Sequence, residues 1–278
     1  MRRVIWKLGR RLYMSARGEP IGRNLPESSG EFYMQNKVSE ACAGSLGSVI
    51  FDIGANIGQW STLFLQTAKS QGLNLDSLVY HAFEPVPATR AKLTANIAAA
   101  GFASLAHIQS VAMSDRIGES HINILGSETS GRSSLVDDPL QYDKPLDCLT
   151  ITTDTLDHFC SEQGIDHVDF VKIDAEGHDF FVIKGASAML EAERIDVIQF
   201  EYTKRWIDSR TFLKDVFAAI DGSPYSLLRI RPDRLELLPN WHSEIERFFS
   251  ANYALVHDRA LGWFDVHYGC FDRANTYA

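Results

Sequence analysis

The feature that constrains the fold most is the run from Val49 to Phe64, in which an apolar strand, Val49-Ile50-Phe51, meets Asp52 and a glycine turn, Gly54-Ala55-Asn56-Ile57-Gly58. A helical stripe, Trp60, Leu63 and Phe64, follows at once. Glycines in a strand-to-helix turn let backbone approach a ligand closely, and the helix N-terminus is aimed at whatever binds. A nucleotide-like ligand is the natural guest.

The pattern then repeats. Leu78 to Phe83 reads as a strand stopped at Glu84-Pro85, and a helix through Ala88 to Ala100 stops at Gly101. His107 to Ala112 reads as a strand closed by Ser114-Asp115. Ser120 to Leu125 is an edge strand and Gly126 to Ser134 a polar loop. Further strands are read at Leu149 to Thr152, Val168 to Asp174 and Ile195 to Glu201, with helices at Thr155 to Gly164, Phe180 to Leu190 and Arg210 to Ile220. Tyr225 to Ile230 and Arg234 to Leu238 read as a hairpin, Ser243 to Ser250 as a helix and Tyr253 to His257 as a last strand. Alternation of this kind predicts an α/β fold with a mostly parallel sheet, helices on both faces and an antiparallel element at one edge. It divides the chain into an arm and linker over residues 1–46 and a domain over 47–278.

Ligands of such sheets sit outside the carboxyl ends of the strands. That rule selects Asp52, Glu84, Asp115, Asp174 and Glu201. Glu84, after the second strand, is placed to accept hydrogen bonds from a ribose diol. NAD-binding proteins use the same position, so the first turn must discriminate. A dinucleotide turn reads GxGxxG, whereas this chain has Asn56 at the middle glycine and Asp52 just before the turn. A carboxylate there repels phosphate and favours a cation, and S-adenosylmethionine is cationic and free of phosphate.

Four motifs occur in order: Phe51-Asp52-Ile53-Gly54-Ala55-Asn56-Ile57-Gly58, Phe83-Glu84-Pro85, Val111-Ala112-Met113-Ser114-Asp115 and Lys172-Ile173-Asp174-Ala175-Glu176-Gly177-His178-Asp179. Together they resemble the FkbM family of S-adenosylmethionine-dependent methyltransferases, over about residues 47–205 by the order of elements. The resemblance implies a class I methyltransferase, Rossmann-like sheet of seven strands with a reversed final hairpin, and O-methylation of sugars, glycan or lipopolysaccharide units, or polyketide-like metabolites. It places Asp52, Gly54, Ala55, Asn56 and Gly58 around the methionine part of the cofactor, Glu84 at the ribose, and Ser114 or Asp115 at the adenine. Candidate bases for the acceptor hydroxyl are Asp174, His178, Glu176 and Glu201, with Asp174 and His178 ranked first. Asp174, Glu176 and Asp179 offer a secondary option, a divalent cation such as Mg²⁺. Two other functions are weighed, a nicotinamide-dependent oxidoreductase and a non-catalytic nucleoside-binding module.

A formal charge of −9 argues against nucleic acid as a partner, leaving a small molecule or glycan as acceptor. Four cysteines without paired spacing suit a reducing compartment, and the N-terminus lacks the apolar stretch of a secretory signal, so the expected location is cytoplasmic. Residues 1–23 carry seven basic residues against one acid, Glu19, with Val4, Ile5, Leu8 and Leu12 on one helical face. Peripheral contact with a membrane is one reading of this arm. The favoured reading has the stripe packed on the domain. Trp206, Trp241 and Trp263 are read as core, with acceptor stacking as the alternative.

Overall fold

A computed structural model of the chain describes residues 1–17, 26–45, 47–125, 134–135, 145–273 and 275–278. Its strands are β1 (Val49–Ile53), β2 (Val79–Phe83), β3 (Ala106–Gln109), β4 (Ala112–Met113), β5 (Gly118–Leu125), β6 (Pro145–Asp154), β7 (Val168–Ile173), β8 (Ile195–Tyr202), β9 (Tyr225–Ile230), β10 (Leu235–Leu238), β11 (Ala251–His257) and β12 (Val266–Tyr268). The main sheet runs β12-β10-β9-β11-β8-β7-β1-β2-β3. The five strands β3, β2, β1, β7 and β8 are mutually parallel, and β11 lies antiparallel between β8 and β9. Seven strands from β3 to β9 therefore form the class I methyltransferase sheet with its one reversed strand. The predicted hairpin of β9 and β10 exists, but it extends this sheet, and β12 adds a ninth strand.

The stretch read as one strand from His107 to Ala112 is two. Only β3 joins the main sheet, while β4 joins β6 and β5 in a separate three-stranded sheet. The loop predicted over 126–134 lies outside the described residues except for Ser134.

Ten helices are described, beginning with α1 (Arg2–Ala16), α2 (Pro26–Ser29), α3 (Glu31–Cys42), α4 (Gln59–Ser70) and α5 (Pro87–Ala99). They continue as α6 (Leu156–Gln163), α7 (Asp179–Lys184), α8 (Ser187–Glu191), α9 (Arg205–Asp208) and α10 (Leu213–Ala219). The helix expected over Phe180 to Leu190 is broken into α7 and α8 at Gly185, where a Cβ would lie 2.0 Å from the Ser114 carbonyl oxygen. Arg210, with φ +56°, similarly keeps α9 and α10 apart. No helix forms over Ser243 to Ser250. There Glu246 accepts from Tyr202, Trp241 and the Lys214 backbone, ties to distant segments that a regular helix would not make.

Strand residues alternate between two buried layers, as a sheet covered on both faces requires. Phe51, Ile53, Val171, Ile173 and Phe200 face α6 to α8 and α10. Ile50, Tyr80, Phe170 and Val197 face the layer of α3, α4 and α5. Helix α3, from the segment read as linker and arm, contributes Met34, Val38 and Cys42 to that second core, and Gln35 donates to the Trp60 carbonyl at 3.3 Å. Burial raises the thiols of Cys42 and Cys160 to about 12. Among the described residues no helix is long and apolar enough to cross a membrane.

Candidate functional site

Gly54 turns the chain out of β1 with φ +75°, and a Cβ on it would lie 2.0 Å from the Asp174 carbonyl oxygen. The ends of β1 and β7 are thus in backbone contact, and the Asp174 amide donates to the Ile53 carbonyl at 3.0 Å. Asn56 sits in the left-handed region at φ +49°, and Gly58 at φ +82° admits Leu93 of α5 at 2.6 Å from where a Cβ would be.

This turn separates two clefts. The first is walled by Ile53, Gly54, Asn56, Glu84, Met113 and Leu135, among others, and reaches Asp174 and Glu176. Its lining is largely apolar around the Glu84 carboxylate, the mix of surfaces that a nucleoside offers. The second is lined by Glu31, Gly54, Ala55, Asn56, Trp60, Lys172 and Asp174. Gly54, Asn56 and Asp174 belong to both.

Glu84 is buried in the first cleft. One carboxylate oxygen accepts from the Asn56 amide at 3.0 Å and the other from the Val86 amide at 2.9 Å, which fixes the plane of the group and leaves further lone pairs on each oxygen. Burial outweighs these hydrogen bonds and the nearby Arg90, so its pKa rises to about 7. The Asn56 amide oxygen is buried without a hydrogen-bond partner, an open acceptor beside the cleft.

Asp52 behaves differently from its sequence assignment. It lies inside β1 rather than at the rim, is 0% exposed, and lines neither cleft. Strand alternation turns it into the α3/α4 layer, next to Lys172 in the register. Its oxygens meet Lys172 Nζ at 3.1 Å and Ser61 Oγ at 2.5 Å. Burial works to lower the Lys172 pKa, but Asp52, Asp174 and Glu31 more than offset it and hold the ammonium charged. The negative charge expected at a ligand is instead paired with Lys172 within the protein.

The carboxyl ends of β7 and β8 carry the other candidates, of which Glu201 on β8 lines neither cleft. The Asp174 carboxylate is 40% exposed, stands 3.6 Å from Lys172 Nζ, and opens on both clefts. Glu176, with φ +51°, lines the first cleft and pairs with Arg205 at 2.8 Å. Asp179 is buried and accepts from the amides of Ala175 and Gly177 at 3.2 and 3.1 Å, closing the turn on itself. Burial and Asp174 raise it to about 7. Glu201, hydrogen-bonded to Ser250 at 3.0 Å, is pushed well above the usual carboxylate range by burial and by Asp174, Glu176 and Asp179.

Three candidates are placed elsewhere. His178 is held by Ser114 at 2.9 Å and stacks on Phe181 at 4.7 Å, lining neither cleft. Burial lowers it to about 4, so it is neutral. Its hydrogen bond occupies the Ser114 side chain, and Asp115 is paired with Lys184 at 2.8 Å. The cleft-lining residue nearest them is Met113, one position earlier than Ser114. The Mg²⁺ option has no support either: the carboxylates of Asp174, Glu176 and Asp179 do not converge, and the one ligand-like group among the described residues is His167, Asp169 and Asp196. That group lies at the amino ends of β7 and β8, opposite the clefts, and Asp196 is paired there with His167 and Arg259.

Glu31, Trp60 and Lys172, all lining the second cleft, are not among the site residues that the sequence selects. The half-buried place of Glu31 near Lys172 depends on how α3 docks, which no local pattern reveals. Trp206 is fully buried and donates to the Glu201 carbonyl at 2.9 Å, and neither Trp241 nor Trp263 lines a cleft.

A family model described as the methyltransferase FkbM domain matches residues 52–250. No curated protein is similar enough to count as a match. Among solved structures, a methyltransferase FkbM from Methylobacillus flagellatus KT is 16% identical with a TM-score of 0.45, covering 75% of this chain and 43% of its own. This chain thus spans less than half of that relative. An O-methyltransferase from Bacillus cereus in complex with SAH is 12% identical with a TM-score of 0.42, covering 85% and 84% of the two chains. The N-terminal domain of human METTL16 in complex with SAH is 13% identical with a TM-score of 0.43, covering 85% and 72%.

Proposed function

The chain belongs to the FkbM family of S-adenosylmethionine-dependent methyltransferases, and from that premise we propose that it methylates a hydroxyl oxygen of a sugar, a glycan unit or a polyketide-like metabolite, with Asp174 as the base. The observation that carries this reading is the position of Asp174, a partly exposed carboxylate where the two clefts meet.

The residues fit the cofactor without requiring Asp52. Glu84, held by two backbone amides, presents its remaining lone pairs to a ribose diol, and Met113 and Leu135 give the base an apolar wall. The second cleft offers opposite charges, Glu31 and Lys172, to a zwitterionic amino-acid end, and the open Asn56 oxygen adds an acceptor for its ammonium. Gly54 lets the chain pass between the two halves without a side chain in the way. When bound, S-adenosylmethionine supplies an electrophilic methyl on a positively charged sulfur.

Transfer to a hydroxyl needs the acceptor oxygen in line with the methyl, and a place for the proton. Asp174 takes that proton as the oxygen–carbon bond forms, a contribution of roughly 10²–10⁴-fold for a positioned base. The Lys172 ammonium, 3.6 Å from the Asp174 carboxylate, helps fix its position at the junction of the clefts. Glu176 borders the first cleft and accepts hydrogen bonds from neighbouring hydroxyls. His178, buried and neutral against Ser114, orients the turn.

Incubation with methyl-labelled S-adenosylmethionine and a panel of glycans, nucleotide sugars and hydroxylated polyketides tests the reading. A methyl ether in the product supports it. An N- or C-methyl product would overturn it.

A further inference from the structure

Helix α1 does not pack the way an amphipathic surface helix usually does. Its contacts with the body run along one side: Tyr13 donates to Glu244 at 2.6 Å and meets Phe249 edge-on, Arg10 covers Phe249, and Arg17, which caps the helix, pairs with Glu244 at 3.2 Å. The apolar stripe lies on another side and stays in solvent, with Val4, Ile5, Leu8 and Leu12 each 58 to 68% exposed. The expectation that this stripe packs on the domain is therefore not met.

Charge adds a second observation. Arg2, Arg3, Lys7, Arg10 and Arg11 make α1 wholly cationic, with no acid in the helix, although the chain as a whole is formally −9. At helical spacing Arg2 and Arg11 flank the stripe on its two sides. An exposed apolar stripe bordered by cations matches the interface of an anionic bilayer, where apolar side chains enter the acyl boundary and basic ones meet headgroups.

We propose that α1 docks this enzyme on anionic lipid bilayers through Val4, Ile5, Leu8 and Leu12, with Arg2, Lys7 and Arg11 on the headgroups. The rest of the surface is net acidic and repelled by such a bilayer, so α1 sets the orientation. Phe249 lies two residues before β11, whose first residue, Ala251, pairs with Tyr202 at the carboxyl end of β8. Helix α1 is therefore on the edge of the sheet that carries Asp174 and Glu201. On the function proposed above, the bilayer then lies on the side from which the acceptor arrives.

Co-sedimentation of the full chain with vesicles of phosphatidylglycerol and phosphatidylcholine, against phosphatidylcholine alone, tests the proposal. The expected result is binding to the anionic vesicles only, weakened by added salt. Leu8→Glu with Leu12→Glu, and separately Lys7→Gln with Arg11→Gln, each lower the bound fraction about tenfold or more, with thermal stability and S-adenosylhomocysteine affinity unchanged. The two variants are independent, so misfolding of one leaves the other to decide. No binding of the unaltered chain to anionic vesicles overturns the proposal, as does binding that neither variant weakens. A dimer that the leucine variant dissolves, without vesicle binding, assigns the stripe to a second copy instead.

Discussion

Replacing Glu84 by glutamine isolates the carboxylate proposed to hold the ribose. The side chain keeps its size, but its two oxygens now accept from Asn56 and Val86, and a carboxamide can accept on one side only. One backbone amide is left facing an NH₂ group, and a charge-assisted bond to the ribose becomes a neutral one. Hydrogen bonds to charged groups contribute about 1.5–3 kcal/mol, so the dissociation constant for S-adenosylhomocysteine should rise roughly 10- to 150-fold. The pH dependence is the sharper signature. With its pKa pushed up to about 7, Glu84 is mostly ionised at about pH 8 and mostly protonated at about pH 6. The affinity of the unaltered enzyme should fall close to tenfold across that interval, whereas Glu84→Gln has no such group to titrate. The ratio between the two proteins therefore shrinks as pH falls. Isothermal titration at both pH values measures it. A ratio that is large but independent of pH would refute the assignment, and so would equal binding at the higher pH.

Asp174→Asn should lower turnover roughly 10²–10⁴-fold while changing S-adenosylhomocysteine affinity little, which single-turnover kinetics and titration separate; a loss mainly in affinity would move Asp174 to the cofactor half. Asp52→Asn removes the nearest counter-ion of a buried ammonium and should destabilise the fold by about 3–5 kcal/mol, read as a lower melting temperature that the double variant with Lys172→Met partly restores. Lost cofactor binding at an unchanged melting temperature would instead put Asp52 on the ligand. Stability itself should depend on pH. Glu84 and Asp179, whose pKa values are raised to about 7 from 4.5 and 3.8, make the folded chain bind more protons than the unfolded one between those values. The melting temperature of the unligated enzyme should therefore fall as pH rises through that window, less steeply in Glu84→Gln. A melting temperature rising equally in both proteins would contradict the burial of these acids.

The sequence shows the parts of this site that depend on local rules. A strand entering a glycine turn, an acid stopped by proline after the next strand, and a KIDxEGxD run after a third are each set by neighbours in the chain. They locate Gly54, Glu84 and Asp174 correctly relative to the sheet. What it hides is side-chain direction and long-range packing. Asp52 looks like a rim residue until β1 is seen to continue to Ile53, which turns its carboxylate inward to Lys172. His178 follows a strand end as Asp174 does, yet its ring meets Ser114, sixty-four positions away in sequence. Glu31 gains its place from the docking of α3 on α4, and no motif marks it. The seven-strand reading stops short because β12 is only three residues long and pairs with β10, leaving no periodic signal.

A structure of the enzyme with S-adenosylhomocysteine tests the central claim most directly. The ribose hydroxyls are expected on the Glu84 carboxylate, the amino-acid end between Glu31 and Lys172, and the sulfur at the junction beside Asp174. A nucleoside bound away from Glu84, or a sulfur out of reach of Asp174, would contradict it.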